Sequence, residues 1–187
     1  MRKLSLLSIL VMALSVFAIS SLQSCTKLGK NLHFILPMQT GTATITFPAS
    51  GNTTGPISFG ATSIAYNVDS FIMASTANQL NSSNISSVKI VSMKLTLTNP
   101  DQSNNFANLQ SVNASFTSNI NSTPYIVSVN NIADTYTTTI DLPVDSTELK
   151  TYLGNQFNYS INAVLRRATT IPLNCTISYQ FSVAVQG

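Results

Sequence analysis

Few side chains in this sequence can move a proton or attack a carbon. Its 187 residues hold one histidine (His33), two cysteines (Cys25 and Cys175) and six carboxylates, at Asp69, Asp101, Asp134, Asp141, Asp145 and Glu148. A nucleophile–base–acid set assembles in space, so separation along the chain excludes nothing by itself. The shortage of parts is the stronger argument. One imidazole, one thiol within an apolar alternation and scattered acids leave no evident acid–base pair, and too few His and Cys ligands for a zinc site. There is no Gly-rich phosphate loop and no Trp for sugar stacking. The reading is a protein that is not an enzyme and needs no cofactor or metal.

Three local patterns test that reading. Asp101-x-Ser103-x-Asn105 begins like a calcium loop, but Phe106 stands where the sharp turn needs Gly and Val112 where a bidentate Glu belongs, so it reads as a polar turn. Asp145 and Glu148 form a carboxylate pair of the kind used in glycoside hydrolysis. They also fit a capping box that starts a helix, with Leu149, Tyr152 and Leu153 at helical spacing and Gly154 as the stop. The capping reading needs no further assumption and predicts a short helix here. Cys175 falls on the apolar face of a strand, where a thiol behaves as a small buried hydrophobe; a reactive one needs exposure and a nearby cation.

Cys25 is different, because of what precedes it. Arg2 and Lys3 give a basic start, Leu4 to Leu22 carry no charge, and the run closes on Leu22-Gln23-Ser24-Cys25. That is the pattern of a secretory signal peptide. An uncleaved anchor helix is the alternative, since nineteen uncharged residues can just span a bilayer; Ser5, Ser8 and Ser15 argue against it. With Leu22 three places before the cysteine and Ser24 just before it, the segment resembles the signal of a bacterial lipoprotein. The resemblance implies cleavage before Cys25, lipidation of Cys25 and attachment to a membrane. Two or more acyl chains hold a protein stably, where one does so only marginally. Cys175 is then left without a partner; a Cys25–Cys175 disulfide belongs to the alternative of a non-lipidated secreted protein.

The organisation follows: 1–24 signal peptide, 25–40 lipidated cysteine and tether, 41–187 a single domain. Thr26 after the cysteine is not the aspartate that retains enteric lipoproteins in the inner membrane. The expected location is therefore the outer membrane, lipid-anchored and facing the periplasm, with surface exposure as the alternative. Removing Arg2 and Lys3 with the signal leaves seven basic residues against six acidic ones. Arg166-Arg167 is the only basic pair, which argues against nucleic acid as a partner. Seven Asn-x-Ser/Thr triplets, at Asn52, Asn81, Asn84, Asn113, Asn121, Asn158 and Asn174, follow from an Asn/Ser/Thr-rich composition.

That composition, scarce in Glu and Lys with Asn, Ser and Thr filling the polar positions, suits β structure with polar loops. Alternation predicts strands at Thr42–Phe47, Ser63–Val68 and Ile85–Thr98. Further strands carry Val112, Ala114 and Phe116; Tyr125, Val127 and Val129; and Tyr136, Thr138, Ile140 and Leu142. Phe157–Leu165 and Ile171–Val185 read as a closing hairpin. Asp69-Ser70 suggests the cap of a short helix carrying Phe71 and Ile72. In Ile85–Thr98 the apolar phase changes between Ile90 and Val91, which predicts a β-bulge, since a continuous strand would turn half its apolar set to water. The expected fold is all-β: an antiparallel β-sandwich, immunoglobulin-like or related, of about eight strands with one or two short helices. Signal and composition together resemble small envelope lipoproteins of Bacteroidota-like bacteria. On that resemblance the chain is a membrane-anchored, non-catalytic binding or structural domain with a protein or glycan partner. The alternative is a fimbrial or adhesin-type subunit assembled by strand exchange.

Overall fold

The computed structural model describes residues 32–187; Cys25 and the signal lie outside the described residues. Among the described residues, eight strands form two four-stranded antiparallel sheets. They are β1 (His33–Phe47), β2 (Pro56–Ala65), β3 (Ile85–Leu97), β4 (Leu109–Ser118), β5 (Tyr125–Asn130), β6 (Thr139–Asp141), β7 (Gln156–Leu165) and β8 (Leu173–Gln186); a helix, α1 (Val68–Ser75), lies between β2 and β3. The all-β sandwich expected from alternation is the observed fold.

One sheet runs β1-β8-β3-β6 and the other β2-β7-β4-β5. Only β4 and β5 are successive strands that pair; every other connection crosses between the sheets. Two interleaved four-stranded sheets of this kind make a jelly roll rather than an immunoglobulin order. Neither β7 with β8 nor any other pair near the C-terminus forms the expected hairpin. Each is a central strand of its own sheet, and their apolar faces meet across the core. Period-2 alternation reports that one face is buried but not which strand lies alongside.

The core is built from those faces. Phe116 of β4 sits among the rings of Phe157, Tyr159, Tyr179 and Phe181, all within 6.5 Å between centroids. Each such side chain contributes roughly 1.5–3 kcal/mol through burial.

β1 begins at His33, not Thr42, so residues 33–40 of the expected tether lie in the sheet. Leu36 and Met38 are buried on one phase, Ala43, Ile45 and Phe47 on the other. The register against β8 shifts between Gln39 and Thr42, where Gly41 takes φ +90°, a conformation that costs Gly least. The predicted bulge in β3 is present, with the register against β8 shifting between Ile90 and Ser92. Val91 is the displaced residue and is half exposed, while Lys89 and Lys94 face solvent as expected.

Three local expectations are corrected. The helix over 145–153 does not form: the segment is irregular until a 3₁₀ turn at Lys150–Tyr152, which has no side-chain cap. α1 is capped by Asn67, whose side chain accepts from Ser70 N, not by Asp69 or Ser70. β6 is also short, leaving Tyr136 and Thr138 in the loop before it.

The loops divide between the two ends. Residues 48–55, 98–108, 131–138 and 166–172 share one end and are stapled together by Asn and Arg side chains. Asn104 Oδ1 accepts from Thr170 N, Asn108 Nδ2 donates to the Ala168 and Ser103 carbonyls, and Arg166 donates to the Ala107 and Ile132 carbonyls. Residues 66–84, 119–124 and 142–155 lie at the other end, with both termini of the described chain, where Gly187 N donates to the Leu32 carbonyl.

Candidate functional site

The two residues best equipped for chemistry are far apart. His33 is exposed and pairs with Gln186, whereas Cys175 pairs with Ile45. Eleven positions of β8 separate Gln186 from Cys175, roughly 35 Å at strand rise. Cys175 is a fully buried free thiol, and burial pushes it up to about 12. It cannot present a thiolate near neutral pH.

The carboxylates are occupied by their own fold. Asp69 accepts from Ser82 N and Oγ, and Asp101 from Ser103 N and both the main-chain and side-chain nitrogens of Asn104. The polar-turn reading of 101–105 thus holds, with Asn105 Oδ1 capping the next turn through Ala107 N. Asp134 pairs with Arg166 and Arg167, and Asp141 with Lys94. Asp145 accepts from Thr147 N and the Tyr125 hydroxyl. Glu148 accepts from Ser87 Oγ, Val88 N and Lys150 N. Burial alone would raise the Glu148 carboxyl, but those hydrogen bonds outweigh it and hold it below the usual carboxylate range. Asp145 is thereby drawn to β5 of one sheet and Glu148 to β3 of the other, so the pair does not converge on a substrate. Among the described residues no three His, Cys, Asp or Glu side chains gather to hold a metal ion.

What the fold does bring together is a polar trough on the outer face of the β1-β8-β3 sheet. The two bulges flank β8 at the same height. Gln180 of β8 pairs with Gln39 on one side and Ser92 on the other, and Ser178 pairs with Thr42 and Lys94. Alternation turns all six side chains outward, and they line a depression of about 380 Å³ with Gly41 and Tyr179. Lys94 Nζ lies 3.3 Å from Asp141 Oδ1, an ion pair at the surface that sets a carboxylate beside the site's one cation. Elsewhere on the outer faces, facing polar side chains bond one another, as Thr46 does to Asn174, Ser63 to Asn158 and Ser115 to Ser160. Gln39, Thr42, Ser92, Ser178 and Gln180 make no such bond among the described residues.

Sequence reasoning does not single out these residues, because Ser, Thr and Gln are this protein's ordinary polar filling. The available signal is the paired change of apolar phase, at Gln39–Thr42 and Ile90–Ser92. The expected lipidation site, Cys25, lies outside the described residues. A second, shallower hollow of about 400 Å³ lies beside Tyr136 at the stapled end, with Val129, Ile132 and Ile140 beneath it. No helix among the described residues is long and apolar enough to cross a membrane.

No protein-family model matches the chain, and no curated protein does. Among solved structures, it is similar to a chain of Desmodium yellow mottle tymovirus (14% identity, TM-score 0.32, covering 85% of this chain and 90% of that one). It is also similar to a chain of infectious bursal disease virus Gx strain (11%, TM-score 0.36, 83% and 32%) and to the BFDV capsid protein (11%, TM-score 0.34, 85% and 96%). Likenesses this distant carry no weight for function; the jelly-roll assignment rests on the strand order.

Proposed function

We propose that the protein is a membrane-anchored envelope lipoprotein whose sandwich acts as a non-catalytic binding domain, held at a bacterial outer membrane through lipid on Cys25. The observation that carries the non-catalytic part is the commitment of its chemical side chains. All six carboxylates hold backbone, hydroxyl or cationic groups of the fold, and the one imidazole lies roughly 35 Å from the one described thiol. Hydrogen bonds hold the carboxyls of Asp69, Asp101, Asp145 and Glu148 below the usual carboxylate range, away from the near-neutral value that suits a general base.

The anchor part rests on the Met1–Cys25 signal. His33, where β1 starts, is eight residues beyond Cys25, a reach of at most about 28 Å for extended chain. The end carrying α1 and the 142–155 loop would then sit near the bilayer, with the stapled loops outward and the trough about midway up one flank. Against assembly by strand exchange stands the C-terminal strand: β8 pairs with β1 and β3 along nearly its whole length inside its own sheet.

The test is fractionation of Cys25→Ser alongside the parent, with protease added to intact cells. Release of the variant into the soluble fraction supports the lipid anchor. Retention with the signal still attached would replace it by an anchor helix. Cleavage of the parent on intact cells would move the domain from the periplasm to the surface.

A further inference from the structure

We propose that the outer-face trough is a binding site for a neutral, hydroxyl-rich glycan; this deepens the binding reading above and rests on it. Position settles what part of a ligand the trough can meet. It lies on the face of a sheet, where β8 is laddered to β1 and β3 on both sides apart from the two bulges. A ligand there meets side chains, so an extended peptide gains none of the ladder hydrogen bonds available at a sheet edge.

Chemistry narrows the class. Gln39 and Gln180 each offer a carbonyl acceptor and two N–H donors, and Thr42, Ser92 and Ser178 each offer a hydroxyl that both donates and accepts. A sugar's vicinal hydroxyls are donors and acceptors in the same alternation. The one cation, Lys94, is paired with Asp141, so a phosphate or acidic sugar finds no unpaired charge. A macromolecular protein partner needs an apolar anchor in a desolvated pocket, and the trough lining has no exposed apolar side chain. A depression of about 380 Å³ lies at the small end of ligand sites and holds one or two sugar rings of a longer chain. Without an aromatic platform the binding is weak per site.

The experiment is calorimetric titration of the full-length protein in detergent with neutral hexasaccharides of glucose, mannose and N-acetylglucosamine. Oligogalacturonate and inorganic phosphate serve as anionic probes. Saturable binding of at least one neutral hexasaccharide is expected, with neither anionic probe binding. The double variant Gln39→Ala/Gln180→Ala should weaken it at least about tenfold, equivalent to 1.4 kcal/mol, with an unchanged melting temperature because both side chains point outward. No neutral probe binding below about 10 mM (roughly −2.7 kcal/mol), tighter binding of an anionic probe, or equal affinity in the double variant would each overturn the proposal. Titration reports on the trough alone and fractionation of Cys25→Ser on the anchor alone, so either can fail without the other.

Discussion

Tyr159 and Tyr179 stack ring on ring across the sandwich, centroids 4.3 Å apart and planes 21° from parallel. One belongs to β7 and the other to β8, the central strands of opposite sheets. Their hydroxyls are not equivalent. Tyr159 Oη lies 2.9 Å from Thr40 Oγ1, itself buried at the β1 bulge, while Tyr179 Oη is buried with no partner among the described residues. Burial raises both phenols, Tyr159 to about 12, so neither ionises in ordinary buffers.

The pair therefore predicts opposite outcomes for the same substitution. Tyr159→Phe strands the Thr40 hydroxyl inside the core and should cost about 1–2 kcal/mol. Tyr179→Phe removes an unsatisfied group and should be neutral or stabilising. Chemical denaturation of the two variants checks this. Equal losses would mean that the Tyr179 hydroxyl has a partner, such as a buried water.

How much of this was legible in the sequence depends on the range of each interaction. Strand phases and the Ile90–Val91 bulge are local, so alternation reveals them. The change of phase from Met38 to Ala43 carries the same signal and marks the β1 bulge, but Pro37 and Gly41 disguise the segment as a tether. Asn81 and Asn105 each close a capping box with an Asn three residues on, a pattern hidden by expecting Ser or Thr followed by Glu. The predicted helix at Asp145 fails for a non-local reason: Glu148 finds better donors on β3 than a helix end provides. The trough needs three strands in register, which no single segment encodes.

Glu148 gives a pH-dependent prediction. Its folded carboxyl is held below the ordinary value, so its contribution is present above the ordinary glutamate pKa and lost as pH falls through the lowered one. Glu148→Gln should destabilise by about 1 kcal/mol at neutral pH, modest because the group is solvent-exposed. The gap to the parent should close in acid. A gap that stays constant with pH would show that shape, not charge, makes the contact. Asp145→Ala should cost less than Glu148→Gln, since no helix depends on it.

Gly154 has a packing role in place of the helix stop expected for it. A Cβ at this position would overlap Asn119 Oδ1, and that oxygen cannot simply swing away because it accepts from Asn155 N and Gln156 N. Gly154→Ala should cost about 1–3 kcal/mol as an overpacking change. The double variant with Asn119→Ala should cost less than the sum of the single ones, since the clash and the lost bonds are one event. Strict additivity in melting experiments would sink this account.

The last prediction concerns the buried thiol. Cys175 is fully buried on β8 among core residues, and desolvation raises its pKa to about 12. The native protein should resist maleimide at Cys175, read by peptide mapping, until denaturant unfolds it. Cys175→Ala should cost about 1 kcal/mol or more through the small void it opens, and Cys175→Ser more than a void alone explains, because it buries a hydroxyl. His33→Ala, at an exposed strand end, should leave stability within about 0.5 kcal/mol of the parent. Loss of a needed catalytic group lowers function by orders of magnitude while the fold persists. Both alanine variants should therefore retain the cellular phenotype of the gene. Loss of that phenotype in either one, at normal abundance and melting temperature, would refute the non-catalytic reading.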